Sequence, residues 1–249
     1  MQRIYPEFKP STTDNELLES YRAPTHERSF VRFNFVSTID GAATHSGLSG
    51  ALGSSADHRV FALLRRLADV ILVGAGTIRA EGYEGELLDA PSKAWRLAHS
   101  MTEHPVLGIV SGRLDLDPGS ELFTQNPGEI LILTSAHADV QREKAFSEVA
   151  EVLRCPDPTG LVDPQWVQEV LAQRGHTMIH AEGGPQLLGA FHESGAIDSL
   201  CLTISPLVAG GTARRISSGS TQAPLRRMRL HSLLEEDGNL IAEYRRGTY

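Results

Sequence analysis

Residues 54–74 read SSADHRVFALLRRLADVILVG, and this stretch sets the fold. Val60, Phe61, Leu63, Leu64 and Leu67 recur at helical spacing, with Ser54 or Ser55 as the cap and Asp57 completing an S-x-x-D capping pattern with Ser54. ADVILVG, residues 68–74, then runs apolar without alternation and ends in glycine, as a strand buried on both faces of a parallel sheet does. A helix feeding such a strand is the start of βαβ grammar.

That grammar continues outward in both directions. Upstream, VRFNFV from Val31 is rich in β-branched and aromatic residues and reads as a strand, followed by a polar, glycine-rich loop from Ser37 to Gly53. Downstream, strands are expected at 106–110 and 130–133, and a helix starts at Asp163 with Pro164 at its first position. MIHAEGG closes another strand, and Gly184–Glu193 forms an amphipathic helix burying Leu187, Leu188 and Phe191. Ile197–Ile204 and a C-terminal pair of strands finish the chain. The reading is an α/β fold with a mostly parallel central sheet, flanking helices and an antiparallel end. Pro91–Thr102 and Gly112–Gln125 read as long surface excursions. Residues 1–29 read as an N-terminal extension carrying a short helical pattern at Leu17, Leu18 and Tyr21, and residues 30–249 as a single domain.

Composition narrows the function. The 249 residues are 41% hydrophobic and 22% charged, which excludes disordered and fibrous classes. A formal net charge of −8 argues against a protein that tracks nucleic-acid phosphates, while leaving room for a local site that binds a small anion. Cys155 and Cys201 lie far apart with no C-x-x-C unit, so neither a thiolate metal site nor a disulfide framework is expected. No apolar run approaches a membrane span or secretory signal, and a cytoplasmic location is expected.

Three glycine-bearing loops follow predicted strands, and in an open α/β sheet such loops converge on one crevice at the carboxyl ends of the strands. In GAGTIRAEGY, Gly74 and Gly76 suggest a G-x-G-x-x-G fingerprint, but Arg79 occupies the third glycine position. What survives is backbone approach at Gly74 and Gly76 with Thr77 near a helix start, against a plain tight turn. In AEGGPQLL, Gly183 and Gly184 clear side chains from a helix N-terminus, as a pyrophosphate requires, or simply fit helix to sheet. Glu182 would repel an anion there, so it either accepts hydrogen bonds from a donor-rich heterocycle or ribose or caps the helix. In STIDGAATHSGLSG, Asp40–Gly41 reads as a turn, and Ser46, Ser49 and His45 add polar groups without metal-ligand spacing. Arg65 and Arg66 lie about 100° apart around their helix, so one at most faces the crevice, and a guanidinium fork suits a phosphate. No G-x-S-x-G, Walker or H-E-x-x-H motif occurs.

VRFNFVSTIDGAAT, SGLSG, LLRRLADVILVGAGTIRAEGY and IHAEGGPQLLGAFHESGAIDSLCLTISPLVAGG, in that order over residues 30 to 211, resemble the pyrimidine reductases of riboflavin biosynthesis, in particular the stand-alone actinobacterial branch. The resemblance implies a dihydrofolate-reductase-like fold, a homodimer, NADPH as cofactor and 5-amino-6-(5-phosphoribosylamino)uracil as substrate, its ribose opening to an imine that takes hydride at C1′. It implies that deamination belongs to another protein. Carried over by position, it puts Ser49, Arg65 and Glu182 on the substrate, Arg65 toward the phosphate and Glu182 toward pyrimidine N–H groups. Thr77, Glu81 and the backbone of Gly183, Gly184, Pro185, Gln186 and Leu187 fall on the NADPH side, beside Gly74 and Gly76. Asp40 matches the family's Asp-Gly as the carboxylate that orients the sugar or relays a proton. Ser111 and Arg113, past a predicted strand, are candidates for the adenosine 2′-phosphate. The family's D-x-P-x-L-x-x-R continuation is replaced here by Glu81, Gly82, Tyr83, Glu84 and Gly85, so its second substrate arginine is missing. Alternatives are pterin reduction of the dihydrofolate-reductase type and a catalytically idle NADPH-binding module.

Overall fold

The computed structural model describes all residues except 25–27, 221 and 248–249. It opens with β1 (Gln2–Tyr5), α1 (Asp14–Tyr21), β2 (Phe30–Thr38), α2 (Ser55–Leu67), β3 (Val70–Gly74) and α3 (Ala75–Glu81). There follow α4 (Ala90–Ala98), β4 (Val106–Val110), α5 (Glu121–Thr124), β5 (Ile130–Ser135), α6 (Val140–Ala145) and β6 (Glu151–Cys155). The last third holds α7 (Pro164–Gln173), β7 (Met178–Ala181), α8 (Pro185–Ser194), β8 (Ser199–Ser205), β9 (Met228–Glu236) and β10 (Asn239–Arg246). One ten-stranded sheet runs β1-β9-β10-β8-β2-β7-β3-β4-β5-β6. From β8 to β6 every neighbouring pair is parallel, and β10, β9 and β1 add on antiparallel. The α/β architecture with an antiparallel end is as the patterning indicates.

The continuous apolar run in β3 is explained by its two faces. Val70 and Leu72 join one core with Val31, Phe33, Leu171, Leu188 and Phe191, beneath α7 and α8. Ile71 and Val73 join the opposite core with Leu107, Ile109, Ile132, Phe123 and Phe146. A strand buried on both sides has no reason to alternate. A third cluster joins Leu17, Leu18 and Tyr21 of α1 to Val60, Leu63 and Leu64 of α2 and to Cys201, Leu234 and Ile241 of the sheet. Through that cluster and the pairing of β1 with β9, the N-terminal segment is attached to the same sheet.

Two expectations are corrected. Pro91–Thr102 is no surface excursion: Asp89 caps α4 through the Ser92 N–H at 2.8 Å, and Pro91 lies in its first turn. Arg96 of α4 is fully buried and donates to the carbonyls of Arg66 at 3.0 Å, Ala68 at 2.5 Å and Thr102 at 2.8 Å. Its guanidinium thereby satisfies carbonyls left open where α2 ends and β3 begins. Gly112–Gln125 likewise folds back, with Leu114, Leu122 and Phe123 buried against β4 and β5. Patterning also missed β1, α6 and β6.

Candidate active site

The carboxyl ends of β2, β3 and β7 open onto a cavity of about 430 Å³. Of the residues singled out in the sequence, Ser49, Arg65, Thr77, Glu81, Glu182, Gly184 and Pro185 line it together. The loops after β3 and β7 are stitched by the Gly74 N–H donating to the Gly183 carbonyl at 2.7 Å. The two glycines are required by close approach. A Cβ on Gly184 would lie 2.6 Å from Thr77 Oγ1, and one on Gly183, whose φ is +90°, would lie 2.8 Å from the Phe35 ring. Gly184 caps α8 without a side chain, which leaves the backbone donors of that helix's first turn facing outward beside Thr77. Leu187 itself is buried in the core under α8, so only its backbone is available to a ligand, while Gln186 is exposed.

Glu182 does not cap α8. Its carboxylate takes a two-pronged ion pair from Arg65, Nε to Oε1 at 2.6 Å and Nη2 to Oε2 at 2.8 Å, and the Tyr83 hydroxyl donates to Oε2 at 2.6 Å. Arg65 also donates to the Leu87 carbonyl at 3.1 Å and stacks over Phe61 with 4.5 Å to the ring centroid. Burial works against both charges, but their attraction outweighs it, so Arg65 is held above and Glu182 below its ordinary pKa. Burial and the Glu182 charge raise the Tyr83 phenol, keeping it a donor. Beneath them, fully buried His180 has its pKa pushed down to about 4 by desolvation, and its Nε2 lies 3.5 Å from Glu182 Oε1. Arg65, expected on a phosphate, and Glu182, expected on pyrimidine N–H groups, are thus partnered with each other.

Asp40, Ser111 and Arg113 lie apart from the cavity lining. Asp40 is exposed and accepts the Thr38 hydroxyl and the N–H groups of Ala209 at 3.2 Å and Gly210 at 2.7 Å. Those donors, the Thr38 hydroxyl first, hold its pKa down at about 2. It braces the loop after β2 against the loop after β8. Ser111 is buried at the end of β4, its carbonyl accepting from Thr134 at 2.6 Å. Arg113 is exposed on a separate shallow depression with Ser135, His137 and Arg142. Glu81 accepts from the Ser49 N–H at 2.9 Å, tying the first loop to the end of α3.

Sequence reasoning missed Asp57, Phe61 and Tyr83, all of which line the cavity. Asp57, Phe61 and Arg65 are spaced i, i+4, i+8, one stripe of α2. Asp57 reads as half of a capping box, and the Ser54 hydroxyl does accept from its N–H at 3.2 Å. Its carboxylate turns away instead, taking the Thr203 hydroxyl at 2.5 Å on Oδ1. Among the described residues no group of His, Cys, Asp and Glu could hold a metal ion.

The sequence pattern of the RibD C-terminal domain family matches residues 29–241. The chain belongs to the RibD C-terminal domain family. Among relatives of this RibD-family chain, the riboflavin biosynthesis protein RibD of Bacillus amyloliquefaciens is 27% identical over 184 residues, covering 74% of this chain and 47% of the relative. The chain therefore spans about half the length of that curated relative. A 2,5-diamino-6-ribosylamino-4(3H)-pyrimidinone 5′-phosphate reductase of Methanothermobacter thermautotrophicus is 26% identical over 221 residues, covering 87% of this chain and 98% of the relative. In the crystal structure of a pyrimidine reductase-like protein from Corynebacterium diphtheriae the same fold recurs at TM-score 0.79 and 28% identity, covering 89% of this chain and 93% of the other.

Proposed function

We propose that this RibD-family chain is an NADPH-dependent reductase of riboflavin biosynthesis, converting the ribosyl group of a substrate of the 5-amino-6-(5-phosphoribosylamino)uracil class to a ribityl chain. The observation that carries the reading is the single cavity in which the Gly183–Gly184 cradle and Thr77 meet the Arg65–Glu182–Tyr83 cluster. The cradle fits a dinucleotide: side chains are excluded where the first turn of α8 presents its N–H groups, and a Cβ on Gly184 would collide with Thr77. Gly184, the α8 first turn and Thr77 would hold its pyrophosphate and neighbouring groups, with Ser111 and Arg113 toward the 2′-phosphate. Once bound, the nicotinamide supplies hydride. The chain's residues hold the substrate, exclude water and keep the Tyr83 hydroxyl in place as a donor. Asp40, ionised and tied to the loop after β8, serves this reading as a loop brace.

We place residues 30–249 in one reductase domain, and the protein in the cytoplasm, where the buried thiols of Cys155 and Cys201 stay reduced. One observation favours pterin reduction as a second reading. Arg65 is the one arginine or lysine lining the cavity among the described residues, and it is committed to Glu182. Both readings are tested by NADPH oxidation at 340 nm with the ribosylaminopyrimidine phosphate and with dihydrofolate, using NADH as the control donor. Faster oxidation with the pyrimidine is the expected result. Faster oxidation with dihydrofolate overturns it in favour of the second reading, and none with either overturns both.

A further inference from the structure

The cavity is short of free positive charge. Asp57, Glu81, Glu84, Glu86 and Glu182 line it, while Arg65 is committed to Glu182 and Lys93, outside the lining, to Glu86. A phosphate drawn into that lining meets carboxylates before it meets an uncommitted cation. The substrate class proposed above carries a phosphate at the far end of its sugar, so the charge that receives it has to come from beyond the lining.

The loop after β8 carries such a charge. Its residues 206–219 are pinned along the rim at several points. The Leu207 carbonyl accepts from the Ile39 N–H at 2.9 Å, Asp40 takes the Ala209 and Gly210 N–H groups, and the Arg214 carbonyl accepts from the Ala43 N–H at 2.8 Å. Farther on, Ile216 packs against the core beneath α8, and the Ser218 N–H donates to the Pro185 carbonyl at 3.0 Å. Ala43 and Pro185 both line the cavity, so the loop bridges two sides of its mouth. Arg214 and Arg215 stand between these anchors, both exposed, and neither side chain has a hydrogen-bond or ion-pair partner among the described residues. Backbones joined as Arg214 and Ala43 are lie roughly 5 Å apart, less than an extended arginine side chain spans. In a protein of net charge −8, two adjacent unpaired guanidiniums beside an acid-lined cavity concentrate positive potential where an anion enters.

We infer that Arg214 and Arg215 receive the phosphate of the substrate, in place of the second substrate arginine that the sequence lacks. The inference rests on the reductase reading of the cavity and names the residues that hold the charged end of its substrate. A guanidinium fork gives a phosphate two parallel N–H donors, and two forks side by side balance a dianion. Because the loop is anchored on both sides of the pair, binding has to order the side chains alone.

Two ligands differing only in the phosphate test this, 5-amino-6-(5-phosphoribosylamino)uracil and its dephosphorylated counterpart, titrated against the protein saturated with NADP⁺, which has no hydride to give. The unaltered protein is expected to bind the phosphorylated ligand tighter by about tenfold or more, the scale of charge-assisted hydrogen bonds. In the double variant Arg214→Gln, Arg215→Gln that preference falls to within about threefold, and Arg214→Lys, Arg215→Lys, which keeps the charge without the fork, recovers part of it. Equal binding of the two ligands by the unaltered protein overturns the inference, and so does a preference that persists in the glutamine variant. A loss confined to NADP⁺ affinity overturns it as well, since the pair would then serve the cofactor's phosphates. Should the glutamine variant not fold, the lysine variant and the comparison on the unaltered protein still decide. Turnover is read separately: arginine-dependent binding with no oxidation of NADPH would count against the reductase reading and not against the phosphate site.

Discussion

His180 lies under the Glu182 carboxylate, fully buried, with both ring nitrogens lacking a hydrogen-bond partner among the described residues. Its pKa of about 4 in the fold lies below the ordinary 6.5, so between those values the unfolded chain binds a proton that the folded chain excludes. Stability therefore rises with pH through that window and is lost as pH falls from about 6.5 toward 4, at up to roughly 1.4 kcal/mol per pH unit. Urea unfolding at pH 5 and pH 7 measures it. His180→Leu is expected to flatten the difference, and an unchanged difference would assign the slope to other groups. At this scale the sequence was partly legible. Gly183, Gly184, Thr77, Arg65 and Glu182 could be picked out because helix N-termini and glycine pairs have local signatures. Asp57 could not, because its partner Thr203 lies 146 positions away and its S-x-x-D spacing offered a sufficient local explanation. Tyr83 stood in view only as a departure from a family pattern, with nothing local to show that it donates to Glu182.

Among elements, β2 and β10 are joined to α1 by a buried charge cluster. Arg32 of β2 and Glu243 of β10 are both fully buried with 3.3 Å between Nη2 and Oε1. Glu243 also accepts from Ser199 at 2.7 Å and from Arg245 at 2.8 Å, and Arg32 donates to the Tyr21 carbonyl. The Arg32 charge burdens the core unless Glu243 stays ionised, and the arginines hold the carboxylate below its usual pKa against burial, which raises it. Glu243→Gln leaves a buried guanidinium without its counter-charge and is expected to destabilise the fold by about 3–5 kcal/mol, read as a lower urea midpoint with unchanged slope. A loss below about 1 kcal/mol, the level of a surface pair, would contradict a buried role for the cluster. The periodic helices α2, α7 and α8 and the continuous apolar run of β3 were legible from the sequence. Those missed are short or read against composition: α4 turns on Arg96, a charged residue that patterning assigns to solvent, although Asp89, Pro91 and Ser92 carry an ordinary helix-start signal. β1 and β6 lie at the two edges of the sheet, where half-exposed strands lose the apolar pattern that marks central ones.

At the scale of the whole molecule, the antiparallel end of the sheet leaves an apolar face open on the side of α7 and α8. Leu240 and Tyr244 of β10 are 36% and 38% exposed there, opposite half-buried Ile204 and Leu200 of β8. We propose that in a homodimer a second copy covers this face. Leu240→Glu combined with Tyr244→Glu is expected to convert a dimer of the unaltered protein to monomer in sedimentation equilibrium; a monomeric unaltered protein, or a variant that stays dimeric, would contradict that placement. The central claim concerns the crevice at the ends of β2, β3 and β7, and hydride tracing tests it most directly. The protein is incubated with NADPH deuterated on the transferred position of C4 and with the ribosylaminopyrimidine phosphate, and the ribityl product is weighed by mass spectrometry. A product one mass unit heavier, labelled at C1′, is the predicted result; NADPH that binds yet leaves the pyrimidine unlabelled and unreduced would contradict the account.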